Sequence, residues 1–412
     1  MLLEIAGKPL ILHTLEQAGK AKTVLRSIVA TDDKRIFDVV IASGGEAVMT
    51  SSEHRSGSDR IAEVAETLPN GAIIVNVQGD EPMISPETID RAVEEIWKGG
   101  ADIVTVCEPL TSLHGELLNF NVVKVVCGED GRALYFSRSP MPFPRDASLR
   151  YGGDPNRALE NEPELFDNFR KHAGLYAYSR EYLLKFTKLP PTRLERFESL
   201  EQLRALENGA VIKVVDSVGT SIGVDTPEDF DRVRLRIEFP NITFRSGSAG
   251  DIPAISEAYV KSVRGSYAGF LPDEYLSGLT VDQRAAVFSE RRGDHKDSYR
   301  VLIAEDDEAG VVGFIDYAYK EADNFDYAGH IFSFYFVPEF QGRGLGGLLF
   351  RECLRTMRRE GYVSASLDTF EANPYRSFYD KMGGTVLGAG EHLNNGLREP
   401  TVVLGWSDLS TI

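Results

Sequence analysis

Between Lys8 and about Leu110 the spacing of apolar positions switches back and forth between two periods. A helix-like stretch at 9–18 gives way to a β-branched run at 24–31, a helix around 36–42 and a short strand at 47–50. A second cycle follows, with helix 58–68, strand 72–77, helix 86–97 and strand 103–106. Alternation of a 3.6-residue with a two-residue period implies α/β layers in which helices cover both faces of a parallel sheet. The first helix opens on Gly7-Lys8-Pro9, with proline in its first turn and no strand predicted ahead of it, although a unit of this kind normally begins with one.

From about Asn121 to Val218 the alternation loosens into paired strands (122–126, 133–136), a polar stretch (144–163) and a strand at 174–178, where a substrate or partner lobe would sit. A helix at 229–236 runs into Phe239-Pro240-Asn241, where proline stops it, and a new strand starts at 242–245. This predicts a domain boundary at 240, dividing the chain into 1–240 and 241–412. The second part reads as strand, helix 252–263, a helical stretch 272–291, strands 299–305, 311–320 and 330–337, then a glycine-rich loop and a helix. Strand 364–370, a short helix 374–381 and a hairpin around Asn394-Asn395-Gly396 complete a mixed α+β domain.

Length agrees with this division, since 412 residues exceed the ~150 typical of one domain. Hydrophobic residues at 42% and charged residues at 26% describe a globular chain. The net charge of −18 repels phosphate backbones, so nucleic acid is not an expected partner. Cys107, Cys127 and Cys353 lie in apolar runs without CxxC spacing, which predicts reduced thiols in a cytoplasmic protein and neither zinc nor a disulfide framework. No apolar run approaches the ~18 residues of a membrane span, and Glu4 and Lys8 interrupt the one candidate signal segment.

Strand 72–77 ends in Gln78-Gly79-Asp80-Glu81-Pro82, which puts a carboxylate at the carboxyl edge of a parallel strand, the edge where open α/β sheets bind ligands. Carboxylate oxygens there suit Mg²⁺ on a nucleotide, while a plain turn accounts for the pentapeptide equally well. In Gly223-Val224-Asp225-Thr226-Pro227-Glu228-Asp229, Thr226 as N-cap, Pro227 at the first helical position and acids in the first turn make an ordinary helix start. That account does not require Asp225, a candidate second metal carboxylate.

With Glu53-His54-Arg55-Ser56-Gly57-Ser58-Asp59-Arg60, these segments resemble the 3-deoxy-manno-octulosonate cytidylyltransferases, or CMP-Kdo synthetases. The resemblance also takes in Val29 to Asp33, Val75 to Pro82, Asn121 to Val126, Ala133 to Arg138, His172 to Tyr176 and Leu200 to Arg204. It implies a Rossmann-like nucleotidyltransferase domain in which the anomeric hydroxyl of an acidic eight-carbon sugar attacks the α-phosphorus of CTP and pyrophosphate leaves. It also implies that Asp80 and Asp225 hold Mg²⁺, that Ser56, Gly57, Arg60 and Gln78 line the nucleotide pocket, and that Gln78, His172, Tyr176, Glu201 and Gln202 meet the sugar. On the residues alone, His172 reads equally as a satisfied strand histidine, and Glu201 with Gln202 as a solvated helix face.

Members of that family begin with a strand and a cationic loop of the form ARxxSxRLPGK that grips the triphosphate, whereas this sequence starts just after it. The expectation is a sheet lacking a central element, with unpaired edges, and a site lacking those cations, for which Lys8 is a weak substitute. Such enzymes are commonly dimers, and the polar middle segment is compatible with a homodimer without demanding one.

In the second domain, strand 330–337 is followed by Pro338-Glu-Phe-Gln-Gly-Arg-Gly-Leu-Gly-Gly347 and an amphipathic helix with Leu345, Leu349, Cys353 and Met357 on one side. Converging backbone N–H groups at such a helix start make a pyrophosphate cradle. Asn373 precedes Pro374 as an N-cap would, and Tyr379 follows six residues after Asn373. Together these resemble the GCN5-related N-acetyltransferases (GNAT) over about 242–406. The resemblance implies acetyl-CoA as donor, its pyrophosphate on Gln341, Gly342, Arg343, Gly344 and Gly346, its pantetheine arm at Asn373, and Tyr379 protonating the departing thiolate. Glu339 and Asp316 are the acids considered as base.

The leading expectation is thus a bifunctional enzyme of surface-sugar (lipopolysaccharide) biosynthesis. It takes CTP, an acidic sugar and acetyl-CoA as small-molecule substrates, and its acetyl acceptor, an amine in most such enzymes, is not specified by the sequence. Alternatives are a cytidylyltransferase for another sugar acid, such as an acylneuraminate or amino-substituted Kdo, and an inactive first-domain scaffold beside a working acetyltransferase. An interaction protein that turns over nothing is the third.

Overall fold

The computed structural model describes residues 1–319, 326–394 and 397–412, with the side chains at 391–394 and 397–399 left out. The chain forms two compact units, Met1–Val233 and Arg234–Ile412, and helix Pro227–Glu238 crosses from one into the other. Among the described residues no helix is long and apolar enough to cross a membrane, and the three cysteines are free.

In the first unit the helices follow the apolar periodicity. Helix Pro86–Trp97 has Pro86 in its first turn, and the Ser85 side chain caps it by accepting from Thr88 N. The helix buries Ile89, Ala92, Val93 and Ile96 on one face against Val104, Val106 and Ala177. Each fully buried aliphatic side chain there contributes about 1.5–3 kcal/mol. Ahead of helix Leu10–Gly19, where no strand is predicted, Glu4–Ile5 pairs antiparallel with Lys8–Pro9. The turn between them runs through positive-φ Ala6 and Gly7.

The expected parallel sheet is in fact mixed. Strands Ile212–Asp216 and Ile103–Pro109 are parallel, but Arg170–Ser179 is antiparallel both to Ile103–Pro109 and to Ile73–Asn76. The hairpin of Lys124–Cys127 and Ala133–Ser137 extends the same sheet. Strands Ile28–Thr31 and Glu46–Met49 form a separate parallel pair. Among the described residues, Ile28–Thr31 and Ile73–Asn76 therefore each have one strand partner. Thr105 lies opposite Tyr176 and Val106 opposite Ala173, so Gly174 and Leu175 bulge out of the ladder.

The second unit is a seven-stranded sheet in the order Ile242–Ser246, Arg300–Asp306, Gly310–Tyr319, Gly329–Phe336, Ala365–Phe370, Leu397–Trp406, Thr385–Asn394. All pairings are antiparallel except Gly329–Phe336 with Ala365–Phe370. That parallel pair is joined only from Gly329/Ala365 to Ile331/Leu367, after which the strands part. Helix Leu345–Arg359 buries Leu345, Leu349, Phe350, Cys353 and Met357 in the unit's core.

The single helical stretch expected at 272–291 is two helices, Asp273–Gly278 and Val281–Asp294. Thr280 breaks it because its hydroxyl caps the second helix at Gln283 N, 3.2 Å away. The helix expected at 374–381 begins only at Ser377. Asn395 and Gly396 of the expected hairpin turn, and Lys320 at the end of an expected strand, lie outside the described residues.

Candidate functional site

In the first unit, loop 78–82 and the loop before helix Pro227–Glu238 are laced together. Val224 N donates to the Asp80 carbonyl at 2.9 Å, and Ser221 Oγ donates to the Glu81 carboxylate. A Cβ on Gly223 would stand 3.1 Å from Glu81 Oε1, so glycine permits the close approach. Thr14 Oγ1 holds the Gly79 carbonyl at 2.7 Å from the other side.

The lacing brings Asp80 and Asp225 together. Burial first, and then the Asp225 charge, push the Asp80 carboxyl above its ordinary value. Glu81 moves the same way through burial and the charges of Asp80, Glu108 and Asp225. Thr226 Oγ1 caps the following helix at Asp229 N, 3.1 Å away, which leaves Asp225 outside the cap. Among the described residues neither Asp80 nor Asp225 makes an ion pair, and no group of three or more His, Cys, Asp or Glu side chains forms a metal cage. Two uncompensated carboxylates in one place can accept a hard divalent cation whose remaining ligands are substrate oxygens.

Ser56 caps helix Gly57–Glu66 by accepting from Asp59 N at 3.2 Å, and its hydroxyl donates to Glu201 Oε1 at 2.9 Å. Ser58 Oγ donates to Glu201 Oε2 at 2.7 Å and Arg204 Nη2 to Oε1 at 3.0 Å. The solvated-face reading of Glu201 therefore fails, because its carboxylate joins two helices, and Gln202 beside it is buried. With the Ser56 hydroxyl spent inside the protein, this helix start has backbone N–H groups to offer a ligand, with open space around Gly57. Arg60 reaches Thr50 Oγ1 at 2.6 Å and Asp32 at 3.2 Å. Gln78 lies against the bulge, its Cγ 3.7 Å from the Cβ position of Gly174.

His172 is buried between Phe136 and Tyr176, with ring centroids 5.2 Å away on each side. Burial lowers its pKa to about 4. Thr105 Oγ1 donates to the Leu175 carbonyl at 2.8 Å, so at 2.8 Å from His172 Nε2 it acts as acceptor. That assigns the proton to Nε2 and leaves Nδ1 as an acceptor. Burial also raises the Tyr176 pKa, with further contributions from Tyr178 and Glu201. Because neutral His172 sits below its ordinary 6.5, its contribution to stability is fully present above pH 6.5 and is lost as pH falls toward about 4. Urea unfolding at pH 7 and 4.5 should show a pH-dependent loss of up to about 3 kcal/mol that His172→Gln removes; the same loss in the variant would contradict the assignment.

In the second unit, Gly342 (φ +70°) and Gly344 (φ +94°) take left-handed conformations that turn the backbone into the start of helix Leu345–Arg359. Gln341 Nε2 donates to the Phe336 carbonyl at 2.6 Å and to Ser266 Oγ at 2.7 Å, so its side chain fixes the loop. Arg343 stacks near Phe239 and Phe340, and Gly346 faces Phe334. Arg234, which the sequence reading missed, brings Nη2 within 2.9 Å of the Cβ position of Gly344 while its Nε is paired with Glu238 at 2.8 Å.

Asn373 does not cap a helix as expected. Its Oδ1 accepts from Tyr375 N at 2.9 Å in a turn, and its Nδ2 donates to Thr369 Oγ1 at 2.7 Å. Tyr379 packs on Phe350 and Phe378 and lines a cavity that opens where the parallel strands part. Burial raises its pKa, so it holds its proton at neutral pH. Neither acid considered as base lines that cavity. Glu339 is exposed and paired with Lys261 at 2.9 Å, and fully buried Asp316 is held by Arg291 at 3.1 Å and Tyr299 at 2.9 Å. Asp368, Arg284 and Arg291 do line it; a strand acid and two helix arginines carry no distinguishing signal in the sequence.

Comparisons with known proteins match both regions. Residues 1–215 fit the family model described as cytidylyltransferase, and residues 267–384 that of the acetyltransferase (GNAT) family. The 3-deoxy-manno-octulosonate cytidylyltransferase of Trichlorobacter lovleyi is 48% identical over 242 residues, which are 58% of this chain and 91% of that protein. The enzyme of the same name from Geobacter sulfurreducens is 47% identical over 242 residues, 58% of this chain and 92% of that one. A solved structure of CMP:2-keto-3-deoxy-manno-octonic acid synthetase complexed with CTP has a TM-score of 0.50 at 37% identity, covering 57% of this chain and 90% of that one.

Proposed function

This chain belongs to the cytidylyltransferase family, is CMP-Kdo synthetase-like over its first part and carries a GNAT acetyltransferase domain; from that membership we propose that one polypeptide performs two transfers. The first moves CMP from CTP to 3-deoxy-manno-octulosonate with release of pyrophosphate. The second moves the acetyl group of acetyl-CoA to an amine. The observation that carries the first reading is the pairing of Asp80 with Asp225 in a chain 48% identical to a Kdo cytidylyltransferase over 91% of its length.

In the first site, Asp80 and Asp225 would hold Mg²⁺, whose charge there offsets that of the phosphates and relieves the repulsion between the two acids. The start of helix Gly57–Glu66, with Arg60, faces the nucleotide. Glu201 keeps the Ser56 and Ser58 hydroxyls in place, and His172 Nδ1 accepts from a sugar hydroxyl that Tyr176 helps to orient. The sugar oxygen forms a bond to the α-phosphorus as the bond to pyrophosphate breaks. Positioning of this kind supplies most of the rate in phosphoryl and nucleotidyl transfer.

In the second site the loop from Gln341 to Gly346 receives the CoA pyrophosphate on backbone N–H groups, with the Nη2 end of Arg234 beside it. The parted strands Gly329–Phe336 and Ala365–Phe370 offer unpaired backbone groups to the pantetheine amides near Asn373. The acceptor nitrogen bonds to the thioester carbonyl carbon, the carbon–sulfur bond breaks, and Tyr379 gives its proton to the sulfur.

A pyrophosphate-release assay with CTP and Mg²⁺ should show turnover with Kdo and at least about 10-fold less with N-acetylneuraminate or an amino-substituted Kdo. The reverse order would transfer the reading to another sugar acid. Calorimetric titration with acetyl-CoA tests the second transfer, which predicts binding by the full chain.

A further inference from the structure

We propose that the acetyl acceptor is an amine that also carries a carboxylate or phosphate, its anion held by Arg284 and Ser333; the inference rests on the acetyltransferase reading above. Arg284 comes from helix Val281–Asp294 and is 9% exposed in the wall of the cavity that Tyr379 also lines. Its guanidinium lies 3.7 Å from the Tyr259 ring centroid and 4.8 Å from that of Phe288. Its one polar contact among the described residues is Nη2 to Ser333 Oγ at 3.4 Å, and Nε is buried without a partner. No carboxylate pairs with it among the described residues.

Neighbouring Arg291 is different, because buried Asp316 neutralises it at 3.1 Å. A buried cation without a counter-charge is costly, and aromatic faces offset only part of that cost. On this side of the cavity Arg284 therefore has no paired carboxylate among the described residues, and a bound anion would neutralise it. Ser333 supports the same assignment. Its oxygen accepts from Arg284 at 3.4 Å and from Arg291 at 3.0 Å, which uses both lone pairs and leaves the hydroxyl proton to donate into the cavity. A guanidinium beside a hydroxyl donor is suited to carboxylate or phosphate oxygens.

The other wall has the opposite character. Asp368, 3.8 Å from His330 Nε2, lines the cavity from strand Ala365–Phe370 and faces an ammonium favourably. The cavity between the two walls is open to solvent. An acceptor with its anion toward Arg284 and its amine toward Asp368 sets each charge near one of opposite sign. A polyamine would leave Arg284 unpaired and add positive charge beside it.

The test uses the full chain and two matched pairs, methionine with 3-methylthiopropylamine and glucosamine 6-phosphate with glucosamine. Thiol release from acetyl-CoA gives kcat/KM, and calorimetry in the presence of CoA gives affinity whether or not transfer occurs. The anionic member of at least one pair should be favoured by about 10²-fold in one of the two readouts, and the favoured pair tells carboxylate from phosphate. Arg284→Met should bring that ratio to within about threefold while acetyl-CoA affinity holds, and Arg284→Lys should restore part of it. Neutral amines equal to or better than their partners in both readouts, or a preference that survives Arg284→Met, would overturn the proposal. Loss of acetyl-CoA binding by the unmodified chain would instead refute the acetyltransferase reading on which it rests.

Discussion

Asn in place of Asp80 should lower CMP transfer by at least about 10³-fold, the several kcal/mol that charge stabilisation at a metal-assisted phosphoryl centre supplies. The same variant should be slightly more stable than the parent without Mg²⁺. Burial and Asp225 raise the Asp80 pKa above its ordinary 3.8, so the ionised carboxylate is destabilising in the fold at neutral pH, and removing its charge relieves that strain. Pyrophosphate release over a Mg²⁺ titration, set beside thermal unfolding with and without Mg²⁺, reads both effects. A variant that is inactive and also less stable would make Asp80 a structural residue, and one that keeps its activity would remove it from the site.

Phe in place of Tyr379 should reduce kcat for acetyl transfer by about 10²-fold and leave acetyl-CoA affinity unchanged, the range expected for loss of a general acid. Tyr379 packs against Phe350 and Phe378, so Phe keeps the ring and removes only the hydroxyl. An acetyl thioester with a more acidic thiol needs less help to leave, and its transfer should fall by less than that of acetyl-CoA. Equal losses for the two thioesters would give the hydroxyl a positioning role in place of proton donation.

Much of this was readable in the chain because local rules and global fold agree. Helix Pro86–Trp97 matches its predicted bounds since Ser85, Pro86 and the spacing of Ile89, Val93 and Ile96 all mark one element. The carboxyl-edge position of Asp80 and the surplus of Asp225 over its helix cap were legible for the same reason. Strand direction was not. A period-two run is identical read either way, so the antiparallel entry of Arg170–Ser179 beside Ile103–Pro109 could not be seen, nor the bulge at Gly174 and Leu175 that sets His172 against Thr105.

Partners distant in sequence were hidden in the same way. On the residues alone Glu201 reads equally well as a solvated helix residue, because Ser56 and Ser58, which hold it, lie 145 and 143 positions away. The proline after Asn373 predicts a helix cap, whereas Thr369 and the Tyr375 N–H take its side chain. Arg284 reads as one more polar residue on an ordinary helix until the sheet places Tyr259 and Ser333 around it.

The central claim is that this chain joins CMP to Kdo, and phosphorus NMR of the full chain with CTP, Mg²⁺ and Kdo tests it most directly. The account predicts a new phosphodiester resonance rising in step with pyrophosphate, both dependent on Kdo and on Mg²⁺ and both absent in Asp225→Asn. CTP resonances that stay unchanged with Kdo present, in protein whose unfolding profile shows it to be folded, would contradict it.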